Sequence, residues 1–182
     1  MPATQPVLVP VGDADTAAAA ASLIREYLQF IAETARDHYR LSFDIEAMIA
    51  SDLDDRAKFY PPAGRFYVVR HEDRYVAVGC LKRLTTSVGE IQRMYVRHDA
   101  RGLGVGRLLV ERLLADARSM GFDTVRLESL RALTAAHTLY RSVGFREIAP
   151  YADNSMKDYQ APASMATYRA SVLFMERALD VP

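Results

Sequence analysis

Arg101-Gly102-Leu103-Gly104-Val105-Gly106 ends one apolar segment and opens another. Ahead of it, Glu90-Ile91-Gln92-Arg93-Met94-Tyr95-Val96 is rich in β-branched and aromatic residues and reads as a strand. Behind it, Gly106, Leu109, Val110, Leu113, Leu114, Ala117 and Met120 recur at helical spacing. Arg107, Glu111, Arg112, Asp116 and Arg118 take the opposite side, which makes the segment an amphipathic helix. A strand that passes through a glycine-dense turn into a helix aims unpaired backbone N–H groups outward at the positive end of the helix dipole. The stretch therefore predicts a phosphate-binding turn.

The glycine spacing narrows the ligand. Gly102, Gly104 and Gly106 fall at every second position, so the dinucleotide fingerprint G-x-G-x-x-G is not met, and no G-x-x-x-x-G-K-[ST] is present for a nucleoside triphosphate. What the run matches is Q/R-x-x-G-x-G/A, read as Arg101, Gly104 and Gly106. Tyr95-Val96 precedes it, and Ala136-x-x-Leu139-Tyr140-x-x-x-Gly144-Phe145 follows. Together these resemble the acetyl-CoA signature of the GNAT superfamily of N-acetyltransferases, and the resemblance runs from about Tyr60 to Tyr151. It implies an α/β (α+β) domain over residues 1–182, with a twisted, largely antiparallel sheet flanked by helices and split at the acetyl-CoA site. The implied reaction is direct transfer of an acetyl group from acetyl-CoA to an amine. Tyr60-Pro61-Pro62-x-Gly64-Arg65 and Phe145 to Tyr151 look like the small-molecule branch of stand-alone bacterial-type members. The rival reading is a non-catalytic CoA-binding sensor or assembly protein.

Composition limits the partners. The chain has 182 residues, 50% hydrophobic and 25% charged, which suits one globular domain. Its 23 basic and 23 acidic residues cancel, so no global field recruits nucleic acid or an anionic membrane. A single cysteine, Cys80, excludes an internal disulfide framework and reads as a small buried residue in an apolar strand. With no basic leader and no apolar run of spanning length, the expected location is the cytoplasm, and a homodimer is compatible with the sequence. His38, His71 and His98 lack metal-ligand spacing with one another or with Cys80, so no metal is expected.

In chain order, Val7 to Val11 reads as a first strand, and Asp13 or Asp15 as the cap of a long helix. A second helix is predicted over Phe43 to Ala50, with Ser51-Asp52-Leu53-Asp54-Asp55 as an acidic stretch after it that would draw a cationic acceptor. Arg65 to Arg70 and Arg74 to Leu84 form a predicted hairpin across His71-Glu72-Asp73. Thr124 to Ser129 completes a βαβ unit, and Ala132 to Val143 is a further helix stopped by Gly144. Phe145 to Ala149 and Val172 to Glu176 supply the last strands. The span from Pro150 to Ala170 lacks periodicity and reads as a long loop, either one that covers substrate or contacts a subunit or a plain surface loop.

The chemistry needs an anchored thioester, an acceptor amine freed of its proton, and a proton for the departing thiolate. The resemblance gives the anchoring to Arg101, Gly102, Leu103, Gly104, Val105, Gly106 and Arg107, and backbone pairing with the pantetheine arm to Met94, Tyr95 and Val96. One backbone N–H of that trio would face the thioester oxygen. Tyr95 alternates with Ile91 on one strand face. For the base, the resemblance points to Glu90 at the start of the central strand, whose interval to Arg101 matches that of the catalytic glutamate in some members, with Glu128 on the next strand as the alternative. Tyr140 is the implied general acid. The sequence departs from the family at Leu133, where many members carry an asparagine that contacts the cofactor arm. His137 reads as a surface or packing residue.

Overall fold

The computed structural model describes residues 5–54, 56–152 and 162–180. Strands β1 (Val7–Pro10), β2 (Arg65–His71), β3 (Arg74–Arg83), β4 (Val88–Val96), β5 (Thr124–Leu130), β6 (Arg146–Ile148) and β7 (Val172–Ala178) form one sheet in the order β1-β2-β3-β4-β5-β7-β6. Every neighbouring pair is antiparallel except β4 with β5. Helices α1 (Ala14–Tyr39), α2 (Ile45–Asp54), α3 (Arg56–Phe59) and α6 (Met165–Ser171) cover one face, and α4 (Val105–Ser119) and α5 (Thr134–Ser142) cover the other. Each face buries its own apolar cluster. Leu109, Leu113 and Phe122 anchor one, while Leu23, Ile24 and Phe59 anchor the other.

Local chemistry accounts for the helix bounds. Asp13 caps α1 by accepting from the Thr16 N–H at 2.8 Å, and the Thr16 hydroxyl accepts from the Asp13 N–H at 3.2 Å, a reciprocal capping box. Gly121 and Gly144 end α4 and α5 with positive φ.

Two irregularities in β4 shape the site. It pairs with β5 only at Val88, Gly89 and Glu90; beyond them the two strands part, and β5 continues against β7 alone. Against β3 the register runs from Cys80 opposite Gln92 to Val78 opposite Tyr95, so Arg93 and Met94 together face the single residue Gly79. This is a β-bulge, and Arg93 adopts φ 54° in it. The extra residue inverts the alternation beyond it. Ile91, Met94 and Val96 pack on the α4 side, whereas Tyr95 turns to the α1 side and meets Tyr27 at 6.0 Å. The expectation that Tyr95 shares a face with Ile91 is therefore corrected: simple alternation holds only in a strand without a bulge.

Other expectations shift as well. The second helix runs to Asp54 rather than Ala50, because Met48, Ile49 and Asp52 continue one buried stripe. The acidic stretch is thus largely helix, and Asp52 within it is 1% exposed. Glu90 is the third residue of β4, not its first, and is likewise 1% exposed. The predicted loop up to Ala170 contains a short 3-10 turn, Pro162–Ser164, and most of α6, whose Tyr168 is fully buried. Residues 153–161 of that predicted loop lie outside the described residues.

Candidate active site

The parting of β4 from β5 opens a cleft of about 520 Å³ between β4, the turn at 101–104 and the first turns of α4 and α5. All of the predicted anchoring residues except the exposed Leu103 line it, as do Met94, Tyr95 and Val96. Gly104 is the N-cap of α4 with φ 78°, and the first bond of the helix runs from the Leu108 N–H to the Gly104 carbonyl at 3.0 Å. The amides of Val105, Gly106 and Arg107 precede that bond and have no partner within the helix. A Cβ built on Gly102 or Gly104 meets no protein atom within 4 Å, so the space above the turn is open. At Gly106 a Cβ would lie 3.0 Å from the Leu139 side chain; glycine there lets α4 and α5 close over the head of the cleft.

Side chains at the mouth are partly occupied. Arg101 donates from Nε to the Val96 carbonyl at 3.2 Å, and Arg107 reaches Glu111 at 3.1 Å and the Ser142 hydroxyl at 2.8 Å. The Arg97 N–H bonds the Val76 carbonyl of β3 at 2.9 Å. By alternation the Val96 N–H turns away from β3, toward the gap.

On the other side of β4 lies a smaller cavity of about 80 Å³, walled by α1, α2, α6 and the β4 and β5 residues around Glu90 and Glu128. The two spaces share Tyr27, Met94, Leu133, Ala136 and Tyr140. Tyr140 is 6% exposed and packs edge-on against Phe145 at 5.8 Å. Burial holds its phenol well above the usual range, so it keeps its proton at any working pH. Among the described residues its hydroxyl has no hydrogen-bond partner.

The two carboxylates differ in their surroundings. Glu90 accepts from the Tyr151 hydroxyl at 2.8 Å and from Gln92 Nε2 at 2.7 Å, with Lys82 Nζ 3.5 Å away. Glu128 is enclosed by protein yet open to the small cavity. Its Oε2 is shut off from solvent and lies beside the buried Tyr168 hydroxyl, just outside good hydrogen-bond geometry. Burial, and then the neighbouring Glu90, push its carboxyl up to about 8. His137 is 3% exposed, and its Nε2 lies 3.1 Å from the Ser129 hydroxyl; burial followed by Arg141 lowers its pKa, which suits a neutral packing residue. Cys80 is fully buried with its thiol pushed well up, also by burial, and is no nucleophile.

An ion cluster that sequence reasoning missed sits beside the small cavity. Arg93 grips Asp52 with two nitrogens, Nε to Oδ2 and Nη2 to Oδ1, the latter at 3.1 Å. Lys58 Nζ lies 2.5 Å from the same carboxylate. Of the acidic stretch expected to draw a cationic acceptor, Asp52 is therefore already paired with the protein's own cations. Its place on the stripe with Met48 and Ile49 was the signal available in the sequence. Among the described residues, no group of three or more His, Cys, Asp or Glu is placed to hold a metal.

The sequence matches the acetyltransferase (GNAT) family profile over residues 27–145. The chain belongs to this family. It is an acyl-CoA-dependent N-acetyltransferase, and acetyl-CoA is the donor the GNAT family uses. An uncharacterized N-acetyltransferase of Schizosaccharomyces pombe is 33% identical over 72% of this chain and 77% of its own length. Another, from Dictyostelium discoideum, is 45% identical over 62 residues; the chain spans 34% of itself and only 29% of that protein in the match. The fold agrees with the crystal structure of PaiA N-acetyltransferase from Thermoplasma acidophilum in complex with coenzyme A, at a TM-score of 0.68 and 14% identity over 96% of this chain and 99% of that one. Among the described residues of this GNAT chain, no helix is long and apolar enough to cross a membrane.

Proposed function

We propose that this acetyltransferase acts on a small-molecule amine, which enters by the cavity between α1, α2 and α6 and meets the donor at Tyr140. The observation that carries this reading is the shared wall. Two spaces on opposite sides of the β4 edge have Tyr140, Met94 and Leu133 in common, and the acceptor side, at about 80 Å³, is of a size for a small amine.

In this reading the amides of Val105, Gly106 and Arg107, with Arg101 and the open ground above Gly102 and Gly104, hold the pyrophosphate of acetyl-CoA. The Val96 N–H and its neighbours Met94 and Tyr95 pair with the donor's arm, and Leu133 offers only its backbone and apolar bulk there. Glu128 accepts the proton of the acceptor ammonium. The freed nitrogen lone pair forms the new C–N bond as the C–S bond breaks, the Tyr140 hydroxyl supplies its proton to the leaving sulfur, and the second proton that the nitrogen sheds on becoming an amide returns to the Tyr140 phenolate. Glu128 suits the base better than Glu90, because Glu90 is fully buried and already holding Tyr151 and Gln92, whereas Glu128 is only half-buried where it lines the cavity, with the Tyr168 hydroxyl beside it. CoA release from free amines in the absence of any polypeptide acceptor tests the reading; release only with a peptide or protein acceptor would refute it.

Two variants probe the parts. Gly104→Val adds bulk only where a ligand would sit, besides straining a residue at φ 78°. Acetyl-CoA affinity by calorimetry should fall at least about tenfold in a variant that stays folded. With Glu128 as base, kcat/KM should rise with pH through about 8, and Glu128→Gln should remove that rise and lower the rate about 10²-fold or more. The same group leaves a mark on stability. Its folded pKa lies above the ordinary 4.5, so between 4.5 and about 8 the folded state keeps a proton that the unfolded chain has lost. Stability contributed at low pH is lost as pH rises through that window, and urea titrations should show the Gln variant gaining on the wild type from one end of it to the other.

A further inference from the structure

Among the described residues, the cation that lines the small cavity is Arg93. Asp52 occupies Nε and Nη2 of its guanidinium and leaves Nη1. Arg93 lines the cavity while being only 6% exposed, and among the described residues Nη1 neither bonds a protein group nor counts among the polar atoms shut off from solvent. A guanidinium nitrogen that keeps some accessibility on an otherwise buried residue, with no protein acceptor of its own, has two N–H donors to offer to what enters the cavity beside it. The carboxylate that holds Arg93 cannot balance it alone, because Lys58 shares that carboxylate at 2.5 Å with only 13% of its side chain exposed.

Resting on the acceptor-side reading above, we infer that the amine substrate carries a carboxylate, in the manner of a free α-amino acid, with one carboxylate oxygen received by Arg93 Nη1 while the amine faces Glu128. The charge balance supports it. Around the cavity stand Arg93, Lys58 and Lys82 against Asp52, Glu90 and Glu128. With Glu128 ionised these groups cancel, and an amino acid, itself uncharged overall, adds nothing. When the amine's proton moves to Glu128, the protein side becomes positive by one and the substrate negative by one, with Arg93 beside the substrate's carboxylate. No net charge arises in a poorly solvated site at either stage. A diamine, by contrast, leaves a surplus positive charge throughout, next to a guanidinium.

CoA release with free α-amino acids, each measured beside its own primary amide, and with putrescine, tests this. The expected result is at least one amino acid whose kcat/KM exceeds that of its amide by about tenfold or more, as befits a charge-assisted hydrogen bond. Arg93→Gln should bring that ratio near one while calorimetric affinity for acetyl-CoA is kept. Because the wild-type comparison needs no variant, a poorly folding Arg93→Gln leaves the test standing. Preference for amides or for putrescine overturns the carboxylate reading alone and leaves small-amine transfer intact. Preference for amino acids that survives in Arg93→Gln overturns the assignment to Arg93. Release from none of these or any other free amine overturns the small-amine reading and this one with it.

Discussion

Tyr140→Phe should keep wild-type affinity for acetyl-CoA and lose turnover by about 10² to 10⁴-fold, the range that general acid catalysis contributes. The ring is held by its edge-on contact with Phe145 and by the walls of both cavities, none of which needs the hydroxyl. The fold and the donor cleft should therefore be unchanged, and the loss should fall on kcat and kcat/KM alike, the signature of an interaction made only in the transition state. Because burial raises the phenol's pKa, its proton is present across the working range, and no alkaline fall in rate should trace to Tyr140. Unchanged turnover in the variant, with the chemical step rate-limiting, would hand the proton to water.

The largest stability effect is expected at Asp52. Asp52→Ala leaves the Arg93 and Lys58 charges facing each other in a site where Arg93 is 6% exposed, and removing one member of such a buried group costs about 3–5 kcal/mol. It also releases the bidentate grip on a residue held at φ 54° in the bulge. Thermal unfolding should begin roughly 10 °C lower or more. The pair as such need not be a net stabiliser: Asp52→Leu combined with Arg93→Met should recover much of the loss, since Lys58 retains a route to solvent. A variant Asp52→Ala within about 1 kcal/mol of the wild type would mean that water reaches the cluster and the cations are not confined.

The local pattern alone determined the course of the chain through most of its elements. Alternation marked β2 and β3, helical spacing marked α1 and α4, and the glycine run with Ala136-Leu139-Tyr140-Gly144-Phe145 pointed to the donor turn and the family, because a tight turn, a close helix approach and an amphipathic stripe each leave a short-range trace. The tertiary structure decided what depends on residues far apart in sequence. A one-residue bulge turned Tyr95 to the opposite face, and nothing within β4 itself announces it except an arginine that must find its counter-charge 41 positions away. Asp52 reads as a solvated acid until α2 packs and Arg93 arrives. Glu90 comes first as the base on paper with Glu128 behind it, and what argues for the reverse order, Tyr151 coming back across the sheet onto Glu90, is tertiary. Burial and charge pairing are properties of the assembled site, which is why the glycine turn and its helix were legible from the sequence and the buried charges around the small cavity were not.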